Sequence, residues 1–334
     1  MKIEIRVDGG PAVGMGHVVR CVALARALGP DCRFMMRYSL PAVRYAREAG
    51  LPVLLLPDED ANPAAAQWAA AAGAELLIVD LFDVPRSERE LLASVGCPTV
   101  TLADLGYDDL PGDLLFNGFI GFGKHEERPT RFGGMAYLGT DFKLVRAPPR
   151  QDDKAIPALA QRILVTAGGG DATGMTALSL AALAQLDLPL SVVVLEGPAM
   201  DVESDVYRAS LADFPHPIER RRAGDPFAPA AAADLAISAG GDTVYELAVL
   251  GAPTLILCHV DHQLQTAAAF AAEGAAENLG LVRECTPEQL AAAVEALARD
   301  PDRRAAFSHR ARRLVDGGGL ARTVQTIRRL CSSP

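Results

Sequence analysis

The chain has 334 residues and a formal net charge of -10, and half of its residues are apolar while only 5% are aromatic. A chain of this length usually forms two domains. Acidic and basic residues are interspersed without a basic block, which argues against nucleic acid as a partner. The sequence has neither a signal-peptide core nor an apolar segment of membrane-spanning length, so we expect a cytoplasmic protein without a membrane span.

The six cysteines and six histidines show no spacing typical of a metal site. Only His259 and His262 lie close together, and no third ligand accompanies them. We therefore predict reduced thiols, no metal and no cofactor. The sequence leaves the oligomeric state open.

Short runs rich in Val, Ile and Leu alternate with longer alanine-rich helical patterns along the chain. This alternation is typical of an α/β fold with parallel sheets and crossover helices. Strands are predicted at 2–7, 32–38, 52–57, 76–80, 98–103, 114–118, 162–167, 190–196, 235–239 and 253–258. Helices are predicted at 17–28, 41–49, 62–73, 86–95, 174–186, 243–250, 262–273 and 287–299, followed by two charged helices that break at 317–319.

A segment with three prolines and five charged residues, 146–161, lacks apolar periodicity and is typical of a linker. It separates two similar α/β lobes. The predicted organisation is a first lobe at 1–146, a linker at 147–160, a second lobe at 161–315 and a C-terminal helix at 316–334.

The first strand leads into the glycine-rich segment DGGPAVGMGHVVR, residues 8–20. Its glycines, including Gly14 and Gly16, permit a tight turn and close approach of a ligand, and the amides that begin the next helix are free to donate. His17 stands at that helix start, where the positive end of the helix is expected to lower its pKa and keep it neutral. Two interpretations follow: a general base that accepts a proton from water, or a histidine that only packs at the start of a helix.

Two further glycine-rich turns join strands to helices in the second lobe. The first, VTAGGGDATGMT at 165–176, is a candidate phosphate loop through Gly169, Gly170 and Asp171. The second lies within 238–263 and offers amides and hydroxyls for a diphosphate. Its candidate residues are Ser238, Gly240, Gly241 and Thr243.

Two acidic residues flank the second of these turns. Asp242 would repel a phosphate unless it faces away, so we interpret it as the N-cap of the following helix. Glu246, one turn later, is either a carboxylate that accepts both hydroxyls of a ribose or a solvated helix residue.

The segment RVDGGPAVGMGHVVRC, residues 6–21, closely resembles the N-terminal signature of the nucleotide-sugar hydrolases of pseudaminic acid synthesis and their relatives in spore-coat polysaccharide synthesis. Segment 238–263 resembles the donor-nucleotide motif of GT-B glycosyltransferases such as the peptidoglycan N-acetylglucosaminyl transferase. The likeness covers nearly the whole chain with the order of motifs kept.

The resemblance implies two Rossmann-like lobes with the active site in the cleft between them, and a final helix that packs back on the first lobe. It implies metal-free release of UDP from UDP-2,4-diacetamido-2,4,6-trideoxy-β-L-altropyranose, by attack of water on the anomeric carbon with inversion. His17 matches the general base, Glu246 the ribose ligand, and the turn at 238–243 the diphosphate site. Gly14, Gly16, Arg20, Asp80, His262 and Gln263 are the residues expected on the sugar side.

Two segments differ from the pseudaminic acid enzymes. Asp80-Leu81-Phe82 stands where those enzymes tend to show Asp-His-Tyr, and His262-Gln263 stands where they tend to show Asn-Gln. Both differences fall where substituents of the sugar are read, so the sugar itself stays open.

Three functions fit the sequence. The first is a UDP-sugar hydrolase with His17 as base. The second is a GT-B glycosyltransferase that uses the same donor site and transfers the sugar to an acceptor. The third is a nucleotide-sugar binding protein without catalysis.

Overall fold

The computed structural model describes residues 1–10, 13–56, 73–82, 84, 89, 92–93, 95–104, 110–146, 148, 155–222 and 227–332. These residues form two compact units, Met1–Arg146 with Gly318–Pro334 and Ala147–Gly317. Each unit is built around its own sheet. Within the part of the chain that the structure describes, no helix is long and apolar enough to cross a membrane.

The first unit contains an eight-stranded sheet in the order β3-β2-β1-β4-β5-β6-β8-β7. Its strands are β1 (Ile3–Val7), β2 (Cys32–Met36), β3 (Val53–Leu55), β4 (Leu76–Asp80), β5 (Thr99–Ala103), β6 (Leu114–Asn117), β7 (Glu126–Pro129) and β8 (Met135–Leu138). All pairings are parallel except that of β7 with β8. The helices of this unit are α1 (Gly16–Leu28) and α2 (Leu40–Glu48), and further along the chain α10 (Gly319–Ser332).

The second unit contains a six-stranded parallel sheet in the order β11-β10-β9-β12-β13-β14. Its strands are β9 (Arg162–Thr166), β10 (Ser191–Glu196), β11 (Ile218–Arg222), β12 (Leu235–Ser238), β13 (Thr254–Cys258) and β14 (Glu277–Leu281). Its helices are α3 (Met175–Leu183), α4 (Asp205–Leu211), α5 (Phe227–Ala232), α6 (Asp242–Leu250), α7 (Gln263–Ala272), α8 (Pro287–Ala298) and α9 (Pro301–Leu314).

The predicted α/β fold with two parallel-sheet lobes is confirmed. Six strands of each unit follow the doubly wound order 3-2-1-4-5-6. Central strands such as β1, β4 and β13 are buried along their whole length, as expected for strands covered by helices on both faces. In this topology the chain reverses direction across the sheet between β1 and β4 and between β9 and β12, and ligands bind at the carboxyl ends of strands at such points.

The sequence prediction missed β7, β8, β11 and β14. Three of these four are edge strands, and β7 and β11 carry the charged sequences EERP and IERRR. Edge strands carry charges and proline because these residues discourage pairing with another chain. A search for apolar runs therefore does not find them. The helices predicted at 62–73 and 86–95 fall largely outside the described residues.

The last helix, α10, belongs to the first unit. Arg322 Nε on α10 donates to the carbonyl of Asp141 at 2.7 Å, and Arg328 donates to the carbonyl of Ala27 at the end of α1 at 3.0 Å. In the second unit the segment before β9 is held by the buried Arg304 of α9, which donates to the carbonyls of Pro157 and Ala158.

Candidate functional site

The glycine-rich turn after β1 brings the start of α1 to the carboxyl end of that strand. Gly10 and Gly14 exchange two backbone hydrogen bonds of 2.9 and 2.7 Å, and their φ angles of +148° and +85° suit only glycine. A side chain on Gly9 would lie 2.5 Å from Val18 on α1. The turn is therefore tight enough to place His17 directly above the end of β1.

His17 contacts the carboxylate that ends the neighbouring strand. Asp80 is the last residue of β4, and it pairs with Val7, the last residue of β1. His17 Nδ1 lies 2.7 Å from Asp80 Oδ1, and both residues are buried. An ionised carboxylate only accepts hydrogen bonds, so Nδ1 carries the proton and Nε2 is left with a lone pair when the ring is neutral.

Arg20 lies one turn after His17 on α1 and joins two carboxylates. Its Nε and Nη2 donate to the two oxygens of Asp80 at 2.7 and 2.5 Å. Its Nη1 and Nη2 donate to the two oxygens of Asp104 at 2.6 and 3.0 Å. Asp104 follows β5, the strand next to β4, so three neighbouring strands contribute to one cluster. Such paired donors fix both carboxylates in position.

The charges of this cluster control its protonation. Burial alone would raise the pKa of Asp80, but the guanidinium of Arg20 and the ring of His17 outweigh it and hold the pKa well below its usual range. Burial also raises the pKa of the Cys21 thiol, which stays protonated and donates to Asp80 Oδ2 at 3.2 Å. Asp80 is thus an ionised acceptor that holds His17, Arg20 and Cys21.

The pKa of His17 is raised above its ordinary value of 6.5, and the predicted lowering is wrong. Burial acts to lower the pKa and Arg20 adds to this effect, but the carboxylate of Asp80, in direct contact, outweighs both, with help from Asp104. The helix terminus was the sequence-based reason for a low pKa, and a carboxylate at 2.7 Å is the stronger influence.

Two predicted sugar contacts do not fit this geometry. Asp80 is fully buried, and Arg20 is buried and directs three nitrogens at carboxylates. These residues position His17. Gly14 and Gly16, by contrast, retain exposed surface in the turn.

Asp104 was not among the predicted site residues, yet its side chain is 35% exposed and its Oδ2 lies 3.7 Å from His17 Nε2. A signal for it was present. TVTLAD at 99–104 ends in aspartate after a buried strand, as LLIVD at 76–80 does. Because β4 and β5 are adjacent and parallel, their ends lie side by side.

In the second unit the two glycine-rich turns meet at the carboxyl ends of β9 and β12. The amide of Ala239 donates to the carbonyl of Thr166 at 3.1 Å. The carbonyl of Gly169 accepts from Ala199, and a side chain on Gly170 would be 3.4 Å from the Ala199 carbonyl. An added side chain at Gly170 would make only an ordinary van der Waals contact, whereas one at Gly197, after β10, would overlap the Gly168 carbonyl, so this loop requires glycine at Gly197.

The predicted role of Asp171 as a nucleotide ligand does not fit. Its two carboxylate oxygens accept the amides of Met175 and Thr176 at 2.8 Å each, which are the first amides of α3. A carboxylate already occupies the positive end of this helix. An anionic ligand is therefore not favoured there.

The turn before α6 is different. The amides of Gly240, Gly241 and Thr243 donate to no acceptor among the described residues, and α6 begins at Asp242 without a side-chain cap. The N-cap is thus Gly241, and the predicted N-cap role of Asp242 is wrong. Three unpaired amides at the start of a nine-residue helix can bind an anion.

Ser238 does not contribute its hydroxyl to this turn. The side chain is fully buried and donates to the carbonyl of Ala239 at 3.1 Å. Glu246 lies on α6 and is only 8% exposed, so it is not the solvated helix residue of the alternative interpretation.

The residues after β13 complete this edge of the sheet. Gln263 Oε1 accepts the amide of His259 at 2.9 Å, and Gln263 also packs against Gly240, where an added side chain would lie 3.1 Å from its Cβ. His262 is exposed.

The ring of His259 connects two loops of the second unit. His259 Nε2 lies 2.9 Å from the carbonyl of Ala167, so Nε2 carries a proton, and Nδ1 lies 2.6 Å from the hydroxyl of Thr173. Both ring nitrogens of His259 are engaged in joining β13 to the loop after β9.

Known proteins share the fold of this chain. Residues 163–317 match the model of the glycosyltransferase family 28 C-terminal domain. The whole chain is similar to the spore coat polysaccharide biosynthesis protein SpsG of Bacillus subtilis, with 27% identity over 99% of this chain and 98% of that protein.

Solved structures agree with this match. Acinetobacter baumannii MurG is 18% identical over 98% of this chain and all of its own, with a TM-score of 0.67. The calicheamicin glycosyltransferase CalG4 is 16% identical over the full length of both chains, with a TM-score of 0.66. Glycosyltransferase VinC, solved with dTDP, is 17% identical over 99% of each chain, with a TM-score of 0.66. The chain therefore has the GT-B fold of these glycosyltransferases, with a Rossmann-like sheet in each of its two units.

Proposed function

We propose that this protein is a UDP-sugar hydrolase that releases UDP from a diacetamido-trideoxy hexose in the synthesis of cell-surface glycans. The observation that carries the proposal is the His17–Asp80 pair, which leaves Nε2 of a buried imidazole as a proton acceptor. The similarity to SpsG and the match to the family 28 domain support a nucleotide-sugar substrate.

In the proposed reaction, His17 Nε2 removes a proton from water. The water oxygen forms the new bond to the anomeric carbon, and the bond from that carbon to the diphosphate oxygen breaks with its electron pair going to UDP. Attack opposite the leaving group inverts the anomeric configuration. Asp80 stabilises the imidazolium that forms and holds the ring in the required tautomer.

Unit 2 supplies the nucleotide site in this proposal. The unpaired amides of Gly240, Gly241 and Thr243 stabilise charge on the diphosphate as it leaves. Glu246, on the same helix, accepts the ribose hydroxyls. Gln263 and His262 lie at the adjoining strand end and face the sugar in this proposal.

The test is turnover of UDP-2,4-diacetamido-2,4,6-trideoxy-β-L-altropyranose and related UDP-sugars in water labelled with heavy oxygen. Label in the free sugar supports attack at the anomeric carbon, and label in UDP contradicts it.

The variant His17→Asn should lose at least about 100-fold in kcat, as expected for loss of a general base, while calorimetry shows unchanged UDP binding. The exposed His125 of the same unit gives a matched control, because His125→Asn removes an imidazole 48% exposed to solvent.

A GT-B glycosyltransferase is the second candidate, favoured by the fold shared with MurG, CalG4 and VinC. A transferase hydrolyses its donor slowly and accelerates when an acceptor hydroxyl is supplied. Binding of UDP without release under either condition would instead indicate a nucleotide-sugar binding protein. Titration with UDP and dTDP side by side tests the choice of base.

A further inference from the structure

The carboxylate of Asp104 lies near the ring nitrogen of His17 that Asp80 does not contact. Asp80 contacts Nδ1 at 2.7 Å, whereas Oδ2 of Asp104 lies 3.7 Å from Nε2, the nitrogen that is left to accept a proton. At 3.7 Å the two atoms are too far apart for a direct hydrogen bond. They are close enough for one small oxygen nucleophile to contact both.

Asp104 differs from Asp80 in its surroundings. Asp80 is fully buried and its carboxylate contacts His17, Arg20 and Cys21, whereas 35% of the Asp104 side chain is exposed. Arg20 holds the Asp104 carboxylate through two nitrogens, and Arg20, His17 and Lys143 keep its pKa well below the usual range although burial acts to raise it. Asp104 is thus an ionised acceptor, fixed in position and accessible, beside the proton-accepting nitrogen of the base.

We propose that Asp104 binds the nucleophile together with His17 and selects water over an alcohol. This inference rests on the proposed hydrolase function. Water has two protons: His17 Nε2 takes one during attack, and Asp104 Oδ2 accepts a hydrogen bond from the other.

An alcohol brings only one proton to the same position. That proton goes to His17, and the carbon of the alcohol then faces the carboxylate of Asp104, which loses solvent without gaining a hydrogen bond. Removing water from an ionised carboxylate without replacing its hydrogen bond raises the free energy of the complex. The position of Asp104 therefore favours hydrolysis and disfavours transfer to a hydroxyl acceptor.

The first experiment measures partitioning between the two nucleophiles. The wild type and Asp104→Ala turn over a UDP-sugar probe, UDP-2,4-diacetamido-2,4,6-trideoxy-β-L-altropyranose, in water containing methanol, and the methyl glycoside and free sugar are counted by mass spectrometry. We expect the ratio of glycoside to free sugar to rise at least about tenfold in Asp104→Ala, the factor that one charge-assisted hydrogen bond provides. An unchanged or lower ratio overturns the inference. Asp104→Val serves the same purpose if the alanine variant does not fold, because valine also lacks a hydrogen-bond acceptor.

The second experiment needs no substrate. NMR titration of the His17 ring is compared between the wild type, Asp104→Asn and the control Glu48→Gln, which removes a carboxylate 61% exposed on α2. Loss of the Asp104 charge should lower the pKa of His17, and Glu48→Gln should leave it unchanged. An unchanged pKa in Asp104→Asn overturns the inference.

The two experiments separate this inference from the function on which it rests. If the wild type releases neither free sugar nor glycoside from any UDP-sugar tested, the proposed hydrolase function fails, and the selection of water fails with it. If the wild type hydrolyses its substrate but Asp104→Ala partitions as the wild type does, only the role of Asp104 fails.

Discussion

Asp80 Oδ1 lies 2.7 Å from His17 Nδ1, and the same carboxylate accepts two hydrogen bonds from Arg20. The pairing of β1 with β4 sets this relationship, because it aligns Val7 with Asp80 and so places the end of β4 beside the turn that leads into α1. The site thus depends on the parallel register of two strands whose paired residues, such as Val7 and Asp80, are 73 positions apart in sequence.

We expect Asp80→Asn to lower kcat far more than it lowers nucleotide affinity. An asparagine can present its amide to Nδ1 and so favour the tautomer with the proton on Nε2, which removes the proton acceptor. In enzymes with a catalytic histidine, replacing the partner aspartate by asparagine favours the wrong tautomer and lowers kcat by up to about 10,000-fold. Turnover and UDP calorimetry measured on the same preparation test this expectation. Equal losses in turnover and UDP affinity would contradict it.

The same variant should also be less stable. Arg20 and Cys21 lose an ionised acceptor in a buried position, although Arg20 keeps Asp104. Urea unfolding at pH 7 should show a loss of about 1–3 kcal/mol. Asp31→Asn, whose side chain is 65% exposed, is the surface control and should unfold as the wild type does.

The pH dependence of kcat/KM should report the raised pKa of His17. The base acts when neutral, so activity should fall as the pH drops through its pKa, and the midpoint of this acid limb should lie above 6.5. The groups that face the ring are the carboxylates of Asp80 and Asp104, which raise its pKa, and Arg20, which lowers it. Asp104→Asn should therefore move the midpoint to lower pH. A wild-type midpoint below 6.5 would argue against His17 as the base.

Asp171→Ala should affect stability and spare nucleotide binding. The carboxylate accepts two amides at the start of α3, and loss of such a cap costs about 0.5–2 kcal/mol. Thermal unfolding and UDP calorimetry distinguish this role from the ligand role that the sequence suggested. A loss of UDP affinity of more than about tenfold without a change in melting temperature would restore the ligand role.

The sequence predicted the positions of the central strands along the chain and the place of His17 at a helix start, because both depend on local patterns. Buried strands are apolar runs, and the tight turn at Gly10 and Gly14 needs glycine. The partners of His17 were harder to assign, because they come from strands far along the chain. Asp80 was predicted as a site residue, but as a ligand of the sugar, and Asp104 was not predicted. No sequence pattern indicates that Arg20 binds both carboxylates.

The pKa of His17 shows the same limit. Its place at a helix start is readable from the sequence and suggests a low pKa, but the sign of the shift is decided by a carboxylate 63 residues away. Likewise, Asp171 and Ser238 stand in glycine-rich turns that look alike in sequence. Only the direction of their hydrogen bonds shows that Asp171 caps α3 and that Ser238 faces a backbone carbonyl.

Gly240 and Gly241 should respond differently to alanine, although they are neighbours. A side chain on Gly240 would lie 2.9 Å from Cys258 Sγ and 3.1 Å from Gln263 Cβ, both in packed positions. Gly240→Ala should therefore destabilise the second unit by about 1–3 kcal/mol.

A side chain on Gly241 would lie 3.8 Å from Gln263 Nε2, an ordinary contact, at a φ of -94° that alanine adopts easily. Gly241→Ala should keep the wild-type melting temperature, so any loss of UDP affinity it causes reflects a diphosphate bound close to this amide. If Gly241→Ala leaves both melting temperature and UDP affinity unchanged, the diphosphate does not approach the start of α6 at this residue.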